Sequence, residues 1–325
     1  LWLLWEDVDE SLRLLLARML EHDADSWCDG PAPAQLYDDT QAESNAWSSG
    51  GMVLGYCLLK HHPRREVWGD KAKELMISAY ATEADVASDQ LVDGKPLREW
   101  LTGPNAFPDH TVENHGFIHG DYLAAVSEKV RTAILYHLAG EPTPEAVLLN
   151  AAPVFDRLMF LSLPDGAHLY MQGSDYIARR LESFYQACNA APLIPSPLRS
   201  AAALRALESL EQMERRHPDV NIGGWLGSPF DLGVHWGTIE NYLMRRLFGP
   251  GADPLPDEQV DAALAAVHVC EPAAYAAHRT ATTLSSFSWH TAAHTSQVMG
   301  LTINLDRDTL MAPVPVGSMV GSLAV

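Results

Sequence analysis

The sequence predicts a mainly α-helical chain that ends in the start of an antiparallel β-domain. Over most of its length, apolar residues recur at helical spacing, and clusters of Pro and Gly separate the helical stretches. Near residue 278 the composition changes to Thr, Ser and aromatic residues, which favour strands. We therefore expect a helical domain over residues 1–277, in which successive hairpins form a bundle, a solenoid or a toroid, and a β-domain over 278–325.

The first helix is expected at residues 6–21, where Val8, Leu12 and Leu15 share one face behind an acidic first turn. Later helices are expected at about 46–61, 67–81, 118–139, 143–162, 174–190, 197–217, 236–248 and 257–270.

Two strands are expected after the helices, at residues 280–289 and 297–304. A sheet usually needs about 4–6 strands, so this segment is too short to close a sandwich. Because the chain also lacks an initiator Met, we expect it to be a fragment or a processed form whose export signal has been lost.

Composition excludes several classes of function. The net charge of −20 argues against nucleic-acid binding, which depends on clustered Lys and Arg. No apolar run approaches the ~20 residues of a membrane helix, so no membrane partner is expected. The four cysteines form no CxxC pair and are expected to be buried thiols.

Titratable side chains are densest at residues 109–122, just before an apolar helix. One interpretation is acid–base catalysis by His115, His119 or Tyr122, with Asn114 orienting the substrate. A second is a metal site, because His115 and His119 are four residues apart and have acidic neighbours. A third gives these histidines only a structural role in a polar loop. The residues alone leave all three open.

A second polar cluster spans residues 165–176 and contains Tyr170. If a helix begins near Tyr176, then Tyr176, Arg179 and Arg180 share one face. A cation beside a phenol favours the phenolate and so prepares it to act as a base. The alternative is a half-buried core tyrosine followed by surface arginines.

Weaker signals suggest substrate-binding walls. Aromatic rings stack on sugars, and polar side chains close to them can bind hydroxyl groups. The candidates of this kind are Glu43, Asn45, Trp47, Trp225, Trp236, Glu240, Asn241, His290 and His294.

Together these segments resemble the polysaccharide lyases of the heparinase II/III, alginate lyase and chondroitin lyase type. The matching stretches run from Ala42 to Trp47, from Glu113 to His119, from Asp165 to Tyr176, and from Ser285 through Trp289 to Leu301. The resemblance implies an incomplete (α/α) toroid followed by an antiparallel β-sandwich. One departure is Gly120, where similar sequences carry proline.

The resemblance implies a β-elimination on a uronic-acid-containing polysaccharide. Asn114 matches the amide that neutralises the uronate carboxylate, and His115 matches the adjacent base. The catalytic tyrosine is expected to be Tyr176 or Tyr170, with Tyr122 as a third choice. Binding of the acidic polysaccharide is expected to involve His119, Tyr122, Arg179, Arg180, Trp47, Asn45, Glu43, Trp236, Asn241 and His290. No cofactor and no metal are expected, and the resemblance places the enzyme in a secreted or periplasmic setting.

Two other functions fit the same residues. A glycoside hydrolase on a helical toroid would use two carboxylates about 5–10 Å apart, chosen from Asp109, Glu113, Asp121 and Glu43. A protein that binds glycans without turning them over would need only the aromatic and polar walls.

Overall fold

The structure, a computed structural model, describes residues 4–173, 182–216, 231–290 and 300–305. About 52% of the chain is helical and 11% is strand, arranged in small antiparallel sheets. This agrees with the expected predominance of helix and with the expected antiparallel strands. Among the described residues, no helix is both long enough and apolar enough to cross a membrane.

Helices make up most of the chain before residue 264. In order they are α1 Glu10–Ser26, α2 Ala42–Leu58, α3 Arg65–Ala79, α4 Glu83–Val86, α5 Leu97–Trp100, α6 Gly120–Ala124, α7 Val126–Val130, α8 Thr132–Ala139, α9 Ala151–Leu161, α10 Glu182–Ala187, α11 Pro197–Arg216, α12 Asp231–Phe248 and α13 Asp257–Ala263. The helix expected at 118–139 is thus three short consecutive helices, α6 to α8. The helix expected at 143–162 begins only at Ala151, after Asn150 in the left-handed conformation.

The strands are β1 Leu91–Val92, β2 Lys95–Pro96, β3 Glu113–Asn114, β4 Phe117–Ile118, β5 Ala266–Cys270, β6 Tyr275–Arg279, β7 Thr283–Ser288 and β8 Gly300–Asn304. Strands β5 to β8 form one antiparallel sheet in chain order. The expectation of helix up to residue 270 is therefore wrong from Ala266 onward. In this segment Val267 and Val269 both face solvent while Cys270 is buried. Burial therefore alternates with the two-residue period of a strand, but the segment is too short for the sequence to show that period. The sheet begins before residue 278, where we placed the start of the β-domain.

A buried lysine fixes the junction between α7 and its neighbours. Lys129 is fully buried, and its Nζ donates to the carbonyl oxygens of Met76, Ala146 and Leu149. Burial lowers the pKa of Lys129 to about 7. These contacts give Lys129 a structural role within the helical layer.

The sheet packs directly on the helical part. The Nη1 of Arg279 donates to the carbonyl oxygens of Met159, Phe160 and Ser162, which lie at the C-terminal end of α9. Such carbonyls lack partners within the helix, so an arginine from β6 is an effective cap. The Tyr275 hydroxyl donates to Asp109 Oδ2 at 2.5 Å. These contacts place the sheet beside the polar segment 109–122.

Candidate active site

A tight hairpin presents the central candidate residues. Strands β3 and β4 pair so that Asn114 faces Phe117, and His115 and Gly116 form the turn between them. Both turn residues have positive φ, 55° and 81°, as a two-residue hairpin turn of type I′ requires. Strands this short give no periodic signal in the sequence, so the hairpin becomes visible only in the structure.

Two partly exposed side chains meet at this hairpin. His115 Nε2 lies 3.4 Å from the Tyr122 hydroxyl, and the two rings meet edge to face. Neither residue is fully buried. An imidazole and a phenol in contact and within reach of a ligand are suited to moving protons.

Three other candidates lie behind this pair. His119 is fully buried, and its ring packs edge to face on Tyr122 with centroids 4.5 Å apart. Tyr170 is 6% exposed and lies near His119, with ring centroids 6.4 Å apart. Asn114 is 1% exposed, and its Oδ1 has no hydrogen-bond partner among the described residues. The structure therefore brings together five of the residues chosen from the sequence.

A buried carboxylate, Asp121, contacts two of these residues, although it was not among the catalytic or substrate-binding residues expected for the lyase. Asp121 Oδ2 accepts from the Tyr170 hydroxyl at 3.1 Å and lies 3.5 Å from His119 Nδ1. Its Oδ1 lies 3.7 Å from His168 Nε2. The crowding of titratable residues at 109–122 was a signal for Asp121, but its contacts with Tyr170 and His168 depend on the fold.

Gly120 is required by the same cluster. A Cβ added at Gly120 would lie 2.6 Å from Cγ of His168 and 2.7 Å from its Cβ. Proline, expected here from the resemblance, would meet the same ring. The departure at Gly120 therefore has a physical reason, which is the close approach of His168.

Helix α2 brings a carboxylate and an aromatic ring to one side of the hairpin. Glu43 interacts electrostatically with His115, and burial raises the pKa of Glu43. Its Oε2 is buried without a hydrogen-bond partner among the described residues. Trp47, one turn later, is 53% exposed and hydrogen-bonds to Glu128. Both side chains are therefore placed where a ligand at His115 could extend along α2.

Two candidate amides serve the scaffold instead. Asn45 is fully buried, and its Nδ2 donates to the carbonyl oxygen of Pro33 at 2.9 Å. Asn241 is 7% exposed, and its Nδ2 donates to the carbonyl oxygens of Tyr185 and Gly237. Their assignment as substrate-binding residues is therefore corrected, because each amide is buried in a structural contact.

His290 reaches the hairpin from the sheet. Its Nε2 lies 3.0 Å from the carbonyl oxygen of Gly116, next to His115 in the turn. The expectation that a histidine after β7 projects back toward the polar cluster is met at this position. The same cannot be said of His294, which lies outside the described residues.

The remaining candidates fall outside what the structure describes. These are Tyr176, Arg179, Arg180 and Trp225, together with the side chain of Trp236. In the described part of the chain, no group of three or more His, Cys, Asp or Glu side chains is arranged to hold a metal ion.

Comparison with known protein families, with curated proteins and with solved structures finds no match for this chain.

Proposed function

We propose that this chain is the catalytic part of a polysaccharide lyase, built as an incomplete (α/α) toroid followed by an antiparallel β-sandwich. It cleaves a uronic-acid-containing polysaccharide by β-elimination. The observation that carries the proposal is the partly exposed pair of His115 and Tyr122, with 3.4 Å between Nε2 and the hydroxyl. The reaction needs a base at the hydrogen on C5 and an acid at the oxygen on C4, and an imidazole and a phenol in contact can fill these two roles.

The proposed reaction is balanced by this pair alone. His115 Nε2 takes the C5 proton of the uronate, and the electron pair of the C5–H bond forms the C4–C5 double bond. The C4–O bond breaks, and the leaving oxygen takes the proton of the Tyr122 hydroxyl. The phenolate then recovers a proton from the imidazolium across the short gap between them, which resets the site.

Asn114 is proposed to hold the uronate carboxyl group. Asn114 directly precedes His115, the first residue of the hairpin turn, and its Nδ2 group is the part of the amide that can donate to a carboxylate oxygen. An amide that binds the carboxyl group stabilises the charge that develops on it when C5 loses its proton.

The contact between His115 and Tyr122 also limits which uronates can be substrates. Because base and acid touch, they approach the same face of the sugar ring, so elimination is syn. In glucuronate and mannuronate the C5 hydrogen and the C4 oxygen lie on the same face, whereas in iduronate, guluronate and galacturonate they lie on opposite faces. We therefore propose chains rich in glucuronate or mannuronate as substrates.

The test is a panel of polysaccharides containing each of these uronates, followed by the ultraviolet absorbance of the unsaturated product. We expect signal with glucuronate or mannuronate chains. His115→Asn tolerates the positive φ of the turn and removes the titratable ring, so activity should fall about 10²–10⁴-fold. Tyr122→Phe should act similarly. His278→Asn, at an exposed histidine of β6, is the control and should leave the rate unchanged.

A glycoside hydrolase is the second candidate, and Glu43 is the observation that favours it. Burial raises the pKa of Glu43, which suits a general acid. The other carboxylates considered for this role are engaged: Glu113 Oε1 accepts from the backbone N–H of Asp38 at 2.6 Å, and Asp109 and Asp121 accept from tyrosine hydroxyls. Products without ultraviolet absorbance, together with new reducing ends, would replace the lyase proposal with this one.

A further inference from the structure

The hairpin that carries Asn114 and His115 is too small to hold its own shape. Each of its strands has two residues, and an isolated two-stranded hairpin is marginal in water even when longer. In addition, His115 is held at positive φ, which costs a non-glycine residue of this kind free energy. The geometry of the His115–Tyr122 pair must therefore be maintained by contacts outside the hairpin.

One edge of the hairpin is held by the segment before α2. The backbone N–H of Thr40 donates to the carbonyl oxygen of Glu113 at 3.0 Å, and that of Gly116 donates to the carbonyl oxygen of Asp38 at 2.7 Å. Both anchors come from the helical part of the chain.

Among the described residues, the side-chain amide of Gln172 joins the β4 edge to the four-stranded sheet. Gln172 Oε1 accepts from the backbone N–H of Ile118 in β4 at 2.7 Å. Its Nε2 donates to the carbonyl oxygen of Ala273 at 2.7 Å, in the turn between β5 and β6. Gln172 is fully buried. Because a flipped amide would set donor against donor at Ile118 and acceptor against acceptor at Ala273, only one orientation satisfies both partners.

We propose that Gln172 is a positioning residue that fixes the hairpin against the four-stranded sheet and so sets the distance between His115 and Tyr122. It acts through the backbone of β4, where it accepts from the N–H of Ile118. The kinetic part of this inference rests on the proposed function. The structural part, that the amide couples the sheet to the environment of His115, does not.

Gln172→Glu separates the two hydrogen bonds. The introduced carboxylate still accepts from Ile118, but it faces the carbonyl oxygen of Ala273 with no proton to donate. When protonated, the same group donates to Ala273 as the amide does. Burial raises the pKa of such a carboxyl, so both forms fall within an accessible pH range. Gln172→Met removes both bonds at every pH.

The experiment compares kcat, KM and melting temperature of the wild-type chain, Gln172→Glu and Gln172→Met across pH. A misplaced reacting group costs up to about 100-fold in rate. We expect kcat of Gln172→Glu to be about 10–100-fold below wild type at high pH and to recover as the pH falls, with KM little changed. Gln172→Met should lose kcat without recovery.

The matched control is Asn150→Gly. It removes a different, partly buried amide, one that donates to the carbonyl oxygen of Tyr80 and to Asp85, at a backbone position where positive φ suits glycine. It should lower the melting temperature without the pH-dependent change in kcat.

A second readout does not require turnover. The NMR signal of the His115 ring, assigned by its loss in His115→Asn, should shift in both Gln172 variants and stay in place in Asn150→Gly. If the wild-type chain cleaves no uronate polymer, the proposed function fails and the NMR signal still decides the coupling. If the His115 signal is unchanged in Gln172→Met, or if Gln172→Glu shows no recovery of kcat at low pH, Gln172 does not position the hairpin.

Discussion

Two aspartates, Asp109 and Asp121, flank the hairpin, and their surroundings differ. Asp109 accepts from the Thr111 hydroxyl at 2.7 Å and from the Tyr275 hydroxyl at 2.5 Å. Arg157 Nε lies 3.7 Å from its Oδ2. These partners come from the local loop, from the sheet and from α9, and the first two make short hydrogen bonds to Asp109.

Asp121 has titratable neighbours at longer distances. Its contacts with described residues include the 3.1 Å bond from Tyr170, His119 Nδ1 at 3.5 Å and His168 Nε2 at 3.7 Å. Distances of this length give electrostatic interaction without a well-formed hydrogen bond. The carboxylate can therefore respond to a change of charge on either imidazole.

The difference predicts a structural role for Asp109 and, on the proposed function, a role in activity for Asp121. Removing the first should cost stability, because buried donors lose a close partner. Removing the charge of the second should cost activity, because its close hydrogen bond can be made by an amide while its electrostatic effect cannot.

The largest effect is expected from Asp109→Ala. The variant leaves the Thr111 and Tyr275 hydroxyls without their acceptor, at a cost of about 1–3 kcal/mol for each, while the bond from Arg157 Nε to the backbone carbonyl of residue 109 is kept. Urea unfolding followed by circular dichroism measures the change. Asp253→Ala, at an exposed loop position, is the control. A loss below about 1 kcal/mol would remove Asp109 from the structural class.

Asp121→Asn should reduce activity about 100-fold, within the range of acid–base contributions. The amide keeps the shape and can accept from the Tyr170 hydroxyl, so the free energy of unfolding should change by less than about 1 kcal/mol. Initial rates on the best polysaccharide substrate, together with urea unfolding, separate the two quantities. If the variant loses stability in proportion to activity, the role of Asp121 is structural, like that of Asp109.

Part of this site could be predicted from the sequence because its residues are neighbours in the chain. His115, His119 and Tyr122 all lie in one crowded segment, and a titratable segment before an apolar helix is recognisable without a fold. The choice between tyrosines could not be made, because it depends on distance. Tyr122 ranked third on sequence grounds, yet among the described residues it is a tyrosine in contact with His115.

Other features could not be predicted because they join distant segments. The contact of Asp121 with His168 and the bridge from Gln172 to Ala273 depend on how chain segments pack, which periodicity does not encode. The same applies to the start of the sheet at Ala266, where Val267 and Val269 alternate with other residues over too short a stretch to be distinguished from the end of a helix. The preference for Tyr176 stays a prediction, since it lies outside the described residues.

Gly120→Ala tests the packing of the Asp121 cluster with a single methyl group. Alanine normally stabilises a helix by about 0.5–1 kcal/mol relative to glycine. Here the added Cβ would meet His168, so we expect a loss of about 1–3 kcal/mol and a smaller loss of activity than in Asp121→Asn. Gly50→Ala in α2, where nothing lies within 4 Å of the added atom, should be stabilising. Equal effects at the two positions would show that His168 moves away freely.

The smallest expected effect is a pH dependence of the free energy of unfolding. It tests whether Glu43 is protonated or ionised beside His115. Burial raises the pKa of Glu43, so the folded state holds its proton at a pH where the unfolded chain, with a pKa of about 4.3, has lost it. The stability of the wild-type chain relative to Glu43→Gln should therefore be highest at acid pH and decline as the pH rises above about 4.3 through the raised value. Paired urea titrations from acid to neutral pH measure the difference and cancel the other groups. A decline means that Glu43 carries a proton next to His115, as a general acid would. A rise means that the imidazole holds Glu43 ionised, which would make the carboxylate a charge partner of His115 in the way that Asp121 is for His119.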